Sequence, residues 1–159
     1  MTMRCDMKKL IKLLLVFVLG FCLIGCKEEK HEYSETYTLY YFYLEGCPNC
    51  EHFTENGLPK VEEEFGNHMQ IIEYDMDNRE TINEVKAAYD AIVNNIIDFD
   101  QDDYGFGPFL VLDGYYAQLG VSDVDKYVDN LIAAVTGEDL TEPGENETYY
   151  YFNDGKVQP

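Results

Sequence analysis

Cys47 and Cys50 enclose only Pro48 and Asn49, and two thiols at that spacing have three possible uses. They can close a disulfide, supply half of a metal site, or exchange disulfides with another molecule. A zinc site needs two more ligands, and His31, His52 and His68 do not repeat the paired spacing of structural zinc sites. A purely structural bridge closing so short a loop gains little chain entropy. Exchange is the strongest of the three readings on residue chemistry, and the other two stay open. It requires a thiolate, so a cysteine whose ordinary pKa is about 8.5 must be made more acidic by its surroundings.

The surrounding elements are suited to that. Residues 38–44 (TLYYFYL) form an aromatic run too continuous for a half-exposed strand, which predicts a central strand covered on both faces and ending at Glu45-Gly46. The dithiol follows directly and opens a predicted helix whose apolar side carries Phe53, Leu58, Val61 and Phe65. Pro48 suits a first helical position, where its missing N–H costs nothing, and Gly57-Leu58-Pro59 predicts a bend. Cys47 then lies where unpaired helix N–H groups converge, which favours its thiolate.

Farther along, residues 69–74 predict a second strand, and Ile82, Val85, Tyr89, Ile92, Val93 and Ile96 at helical spacing predict an amphipathic helix over about 79–95. Residues 109–112 and 115–117 flank Asp113-Gly114, a two-residue hairpin signal. Val124, Tyr127, Val128, Leu131, Ile132 and Val135 form a helical stripe, with Ser122 or Asp123 as its cap and Gly137 as its stop. Residues 148–152 (TYYYF) offer an edge strand or a packed tail. Strand, helix, strand, helix, strand, strand, helix implies a mixed sheet with helices on both faces.

That element order, the CPNC at the first strand-to-helix junction, and Gly107-Pro108 just before the third strand together resemble the thioredoxin superfamily over residues 37–135. The resemblance implies an α/β three-layer sandwich with a mixed central sheet of about four strands. It implies Cys47 as nucleophile, Cys50 as resolving thiol, no bound cofactor or metal, and Pro108 in the cis form beside the dithiol. Gly107 and Pro108 would line the substrate groove, with Gly107 leaving it open. Two positions depart from the pattern. The buried acid six residues before the first cysteine is replaced by Tyr41, and the aromatic residue just before that cysteine is replaced by Gly46. Glu45 and Glu51 disfavour a thiolate while the helix start favours one, so redox direction stays open. His52 is expected to face solvent.

The chain's length of 159 residues suits one domain, and its net charge of -20 repels phosphate backbones, which argues against nucleic-acid binding. Residues 7–26 combine a basic stretch with an apolar run over 13–24, the pattern of an export signal. Twelve helical residues reach roughly 18 Å, short of the ~30 Å hydrocarbon layer. Leu23-Ile24-Gly25-Cys26 resembles the lipobox of bacterial lipoproteins, which implies lipidation of Cys26, and Met7 is a more natural start than Met1. Losing residues 1–25 removes four bases and one acid, leaving 134 residues with net charge -23.

The expected organisation is a signal peptide (1–25), a polar tether (26–36), a thioredoxin-like domain (37–137) and an acidic C-terminal extension (138–159). The function this implies is a monomeric thiol–disulfide oxidoreductase, a disulfide reductase or isomerase, anchored at the extracytoplasmic face of a bacterial cell membrane. Its partners would be disulfide-containing exported proteins and a membrane thiol-relay protein. The alternatives are a non-catalytic accessory lipoprotein of a membrane or peptide export system, and metal delivery by the dithiol. Asp98, Asp100 and Asp102 begin like a calcium loop, but Asp103 and Phe109 occupy the positions where glycine and glutamate are needed, so a solvated acidic loop is expected.

Overall fold

The computed structural model describes residues 31–159; the expected signal, the lipobox and Cys26 lie outside these residues. Strand β1 (Tyr37–Tyr43) leads into helix α1 (Pro48–His52), a π-helical segment (Phe53–Gly57) and helix α2 (Leu58–Phe65). Then come β2 (Met69–Asp75), α3 (Ile82–Val93), β3 (Phe109–Leu112), β4 (Tyr116–Leu119), α4 (Val124–Thr136) and β5 (Thr148–Tyr151). Among the described residues, no helix is long and apolar enough to cross a membrane.

The sheet order is β2-β1-β3-β4-β5, with β1 and β2 parallel and the remaining pairs antiparallel. Five strands replace the expected four because residues 148–151 pair with β4, Ala117 opposite Tyr150, and cover an edge that would otherwise expose unpaired backbone. Tyr150 and Phe152 are buried, so this part of the C-terminal extension belongs to the core.

Successive residues of a strand point to opposite faces, and each face has its own core. Leu39 and Tyr41 of β1, with Leu110 and Leu112 of β3, meet Phe53, Val61, Phe65, Tyr127 and Leu131. Phe42, Phe109 and Val111 meet Val85, Tyr89, Val93, Tyr150 and Phe152 on the other side. This is the mixed, two-faced sheet predicted from the element order, an α/β architecture consistent with a thioredoxin-like sandwich. It also explains why β1 reads as continuously apolar.

Three local readings are refined. The bend near Pro59 takes the form of the π-helical segment, in which the Leu58 N–H bonds back to the Phe53 carbonyl. Pro59 has no N–H to continue the regular ladder. The hairpin pairs Leu112 with Tyr116, so its loop has three residues. Gly114 has φ +74° while Asp113 has no positive φ, the sign pattern of a type II turn and not the primed turn that Asp-Gly suggests. Within the segment read as a tether, Tyr33 stacks on Phe65 at 4.6 Å and its hydroxyl donates to Glu64 at 2.5 Å.

Candidate functional site

Cys47 and Cys50 stand at the end of β1 and the start of α1, joined as a disulfide with Cα atoms 5.2 Å apart. Gly46 makes this junction possible, because its φ of +67° is a left-handed turn that an aromatic residue would resist. Cys47 is the N-cap: its sulfur accepts from the Cys50 N–H at 3.2 Å, and its carbonyl accepts from the Glu51 N–H at 2.9 Å. Pro48 occupies the first turn, as its chemistry suggests. Cys47 is half-buried beside exposed Pro48 and Asn49, whereas Cys50 is only 2% exposed. One cysteine is partly exposed and the other is buried.

The loop before β3 faces this pair. The Gly107–Pro108 peptide is cis, as the resemblance implied, and the Gly107 carbonyl lies 3.6 Å from the Cys47 sulfur. A Cβ placed on Gly107 would stand 3.2 Å from the Cys50 sulfur. Glycine at this position therefore allows the loop to approach the sulfurs. The sequence brings together Cys47, Cys50, Gly107 and Pro108 as one cluster, across 60 residues of chain.

Tyr41, which stands where the resemblance calls for an acid, packs against the dithiol's own backbone. Its fully buried hydroxyl donates to the Cys50 carbonyl at 2.8 Å and is 3.0 Å from the Thr54 hydroxyl. Burial pushes the phenol's pKa up, which keeps it a neutral donor. Glu45, Glu51 and Glu55 line a shallow groove with Tyr43, Leu44, Cys50 and Thr54. His52 is exposed on the far side of α1, its ring 3.2 Å from the Asn56 amide.

A second cleft adjoins the pair. Leu44, Met76, Ile82, Val85, Lys86, Tyr89, Tyr104 and Gly105 line about 200 Å³ of space. Tyr104 closes one side, with its hydroxyl donating to Asp90 and accepting from Lys86 at 2.9 Å. Reading the sequence missed this cleft, because its walls come from four separated segments. The aromatic residues inside the Gly-rich stretch 104–107 were its nearest signal.

The acidic loop turns its carboxylates on itself. Asp100 accepts from the Asp102 N–H at 2.9 Å, and Asp103 accepts from the Tyr150 hydroxyl. Among the described residues, no three acidic, histidine or cysteine side chains are placed to share a metal ion. Set against known proteins, the chain matches no family model, no curated protein and no solved structure, so the meaning of the site is carried by its own geometry.

Proposed function

We infer that the protein is a thiol–disulfide oxidoreductase acting on protein disulfides, a reductase or isomerase with Cys47 as nucleophile and Cys50 as resolving thiol. The observation that carries this reading is the asymmetry of the bonded pair: the capping Cys47 is partly exposed beside exposed neighbours and its partner Cys50 is buried. A structural staple needs no such difference. The Cys50 N–H directed at the Cys47 sulfur supports a thiolate there, and a thiolate is the attacking species.

In the reducing direction, the Cys47 thiolate attacks one sulfur of a substrate disulfide. A Cys47–substrate bond forms and the other substrate sulfur leaves as a thiolate that takes a proton. Cys50, as its thiolate, then attacks the Cys47 sulfur and expels the second substrate thiolate. The substrate gains two electrons and the domain loses them as the Cys47–Cys50 bond. A membrane thiol-relay protein would return the pair to the dithiol. In isomerisation the released substrate thiolate attacks another disulfide of the substrate, the thiolate freed there attacks the mixed disulfide and expels Cys47 as its thiolate, and no net electrons move. Anchoring through a lipidated Cys26, at the extracytoplasmic face of a bacterial membrane, would place the domain among disulfide-bearing exported proteins.

The decisive experiment uses full-length Cys50→Ser in intact cells. The expected result is accumulation of mixed disulfides through Cys47, released by reductant and absent from Cys47→Ser. In parallel, Cys47→Ser should eliminate dithiol-dependent reduction of insulin. Wild-type protein that never cycles between dithiol and disulfide, together with an unchanged cellular phenotype in Cys47→Ser, would point instead to a non-catalytic accessory lipoprotein.

A further inference from the structure

We propose that the cleft between Leu44, Met76, α3 and Tyr104 selects the substrate, taking one bulky apolar side chain from an extended, positively charged polypeptide segment whose disulfide reacts at Cys47. The inference rests on the oxidoreductase reading and adds to it a substrate class.

Size comes first. A volume of about 200 Å³ is smaller than the ~300–1,000 Å³ of small-molecule sites, so the cleft suits a single side chain and not a cofactor. Val85 and Tyr89 form its buried floor, and Leu44, Met76, Ile82 and Tyr104 its walls. It also adjoins the reacting sulfurs. From the point where a Gly107 Cβ would stand, the Met76 methyl is 3.4 Å away and the Cys50 sulfur 3.2 Å away. A chain lying along Gly107 to meet Cys47 would pass the cleft mouth.

The distribution of exposed apolar surface supports occupancy. The described residues leave four large hydrophobic side chains exposed: Ile82 at 39%, Ile97 at 37%, Tyr104 at 37% and Phe106 at 60%. Ile82 and Tyr104 line the cleft, and Phe106 follows its lining residue Gly105. Exposed apolar groups gathered at one place mark an interaction surface, whereas single ones scattered over a protein do not.

Charge complementarity decides what kind of segment brings the apolar group. The bordering stretches 44–55 and 75–90 contain eight Asp and Glu against Arg79 and Lys86. Lys86 is the cation lining the cleft, and its ammonium already meets Asp90 at 2.7 Å and the Tyr104 hydroxyl at 2.9 Å. Glu45, Glu51 and Glu55 line the neighbouring groove, which shares Leu44 with the cleft and contacts Cys50. An acidic segment would be repelled on both sides of the dithiol, and a cationic one attracted.

The test reduces the full chain and measures its rate constants with short Lys-rich peptides, each closed by one disulfide and differing only in Phe, Leu or Ala beside a cysteine. Hydroxyethyl disulfide, too small and uncharged to use the cleft, is measured alongside. Phe and Leu peptides are expected to react about tenfold faster than Ala peptides, the scale a filled apolar pocket gives. In Ile82→Gln, and independently in Tyr104→Ser, that ratio should fall toward one. Replacing the peptide lysines by glutamate should slow wild type about tenfold at low salt, the gap narrowing as salt screens it.

Equal rates for Phe and Ala peptides, or a ratio that survives both substitutions, would overturn the proposal, as would faster reaction of the Glu peptides. So would a change of oligomeric state in Ile82→Gln, which would assign the cleft to contact with a second copy. Failure of wild type to react even with hydroxyethyl disulfide removes the oxidoreductase reading itself. Normal reaction there without peptide discrimination removes only the subsite.

Discussion

The start of α4 is closed by carboxylates, whereas the start of α1 is closed by a sulfur. At α4, Asp123 accepts from the Lys126 N–H at 3.1 Å. Glu147, its side chain 1% exposed, reaches in from the C-terminal segment to accept from the Ser122 N–H at 2.7 Å and the Ser122 hydroxyl at 2.6 Å. It also takes the Gly144 N–H at 2.6 Å and the Lys126 ammonium at 3.1 Å. At α1, the Cys47 sulfur accepts one N–H at 3.2 Å and the residues beside it are exposed. Both helices need their first N–H groups satisfied. Each start has one side-chain acceptor for a helical N–H, Asp123 at α4 and Cys47 at α1; at α4 the residues around the cap are further clasped by buried Glu147, whereas at α1 the capping atom is itself reactive and its neighbours are exposed.

The largest expected effect lies at the clasp around the start of α4. Glu147→Gln removes the charge that four donors converge on and leaves Lys126 beside a neutral amide. It should cost about 3 kcal/mol in urea unfolding while leaving disulfide exchange unchanged. A loss of exchange comparable to the loss of stability would show that the two helix starts are coupled, and the contrast between them would fail.

Acid gives the same contrast a pH dependence. Burial by itself would raise the Glu147 carboxyl, but the bonds from the Ser122 hydroxyl and amide, the Gly144 amide and Lys126 outweigh it and lower the pKa from 4.5 to about 2. A lowered folded-state pKa stabilises the fold fully above the unfolded value and loses that contribution as pH falls through the folded value. The stability gap between wild type and Glu147→Gln should therefore be full at neutral pH and shrink between pH 4.5 and about 2. A gap independent of pH would mean that the carboxylate's charge is not what the clasp uses.

The two regions also differ in how plainly the sequence announces them. CPNC after an aromatic strand, Asp123 before an apolar stripe and Gly137 after it are local signals, each readable within a few residues. The structure keeps them: Asp123 caps α4, and Gly137 ends it with φ +80° while the Glu138 N–H returns to the Ala133 carbonyl at 2.8 Å. The same holds for β1, whose unbroken aromatic run over 38–44 announces a strand covered on both faces. Glu147 gave no such signal, because its meaning comes from Ser122, 25 residues away in sequence. Tyr41 looked like the loss of an acid because a sequence does not show which carbonyl a phenol meets. The fifth strand reads equally as edge or tail, since four residues of tyrosine and threonine acquire a role only when β4 presents an unpaired edge.

Gly107→Ala probes the open end with a smaller change. The added Cβ would stand 3.2 Å from the Cys50 sulfur and 3.4 Å from both the Met76 methyl and the Phe42 carbonyl, tight enough that the loop or the dithiol must shift. Exchange with peptide disulfides should slow about tenfold, since small misplacements of reacting atoms are costly, while urea stability falls by about 1 kcal/mol. Unchanged peptide kinetics would show that the loop has slack, and that its proximity to the sulfurs is not what keeps glycine useful there.

The smallest effect is expected from Tyr41→Phe, and it separates support from participation. The ring keeps its packing against Phe53, 5.2 Å between centroids, so only the hydroxyl is lost. The Cys50 carbonyl loses one donor but retains the Phe53 N–H, which limits the cost to about 1 kcal/mol of stability. Because the phenol bonds to the main chain of Cys50 and not to its sulfur, exchange rates should stay within about threefold of wild type, with the same pH profile. A tenfold loss accompanied by a shifted profile would place Tyr41 in the proton path of the buried thiol, in the position where the resemblance calls for an acid. The open end would then have a buried proton carrier of its own, and its chemistry would depend on more than the exposure of Cys47.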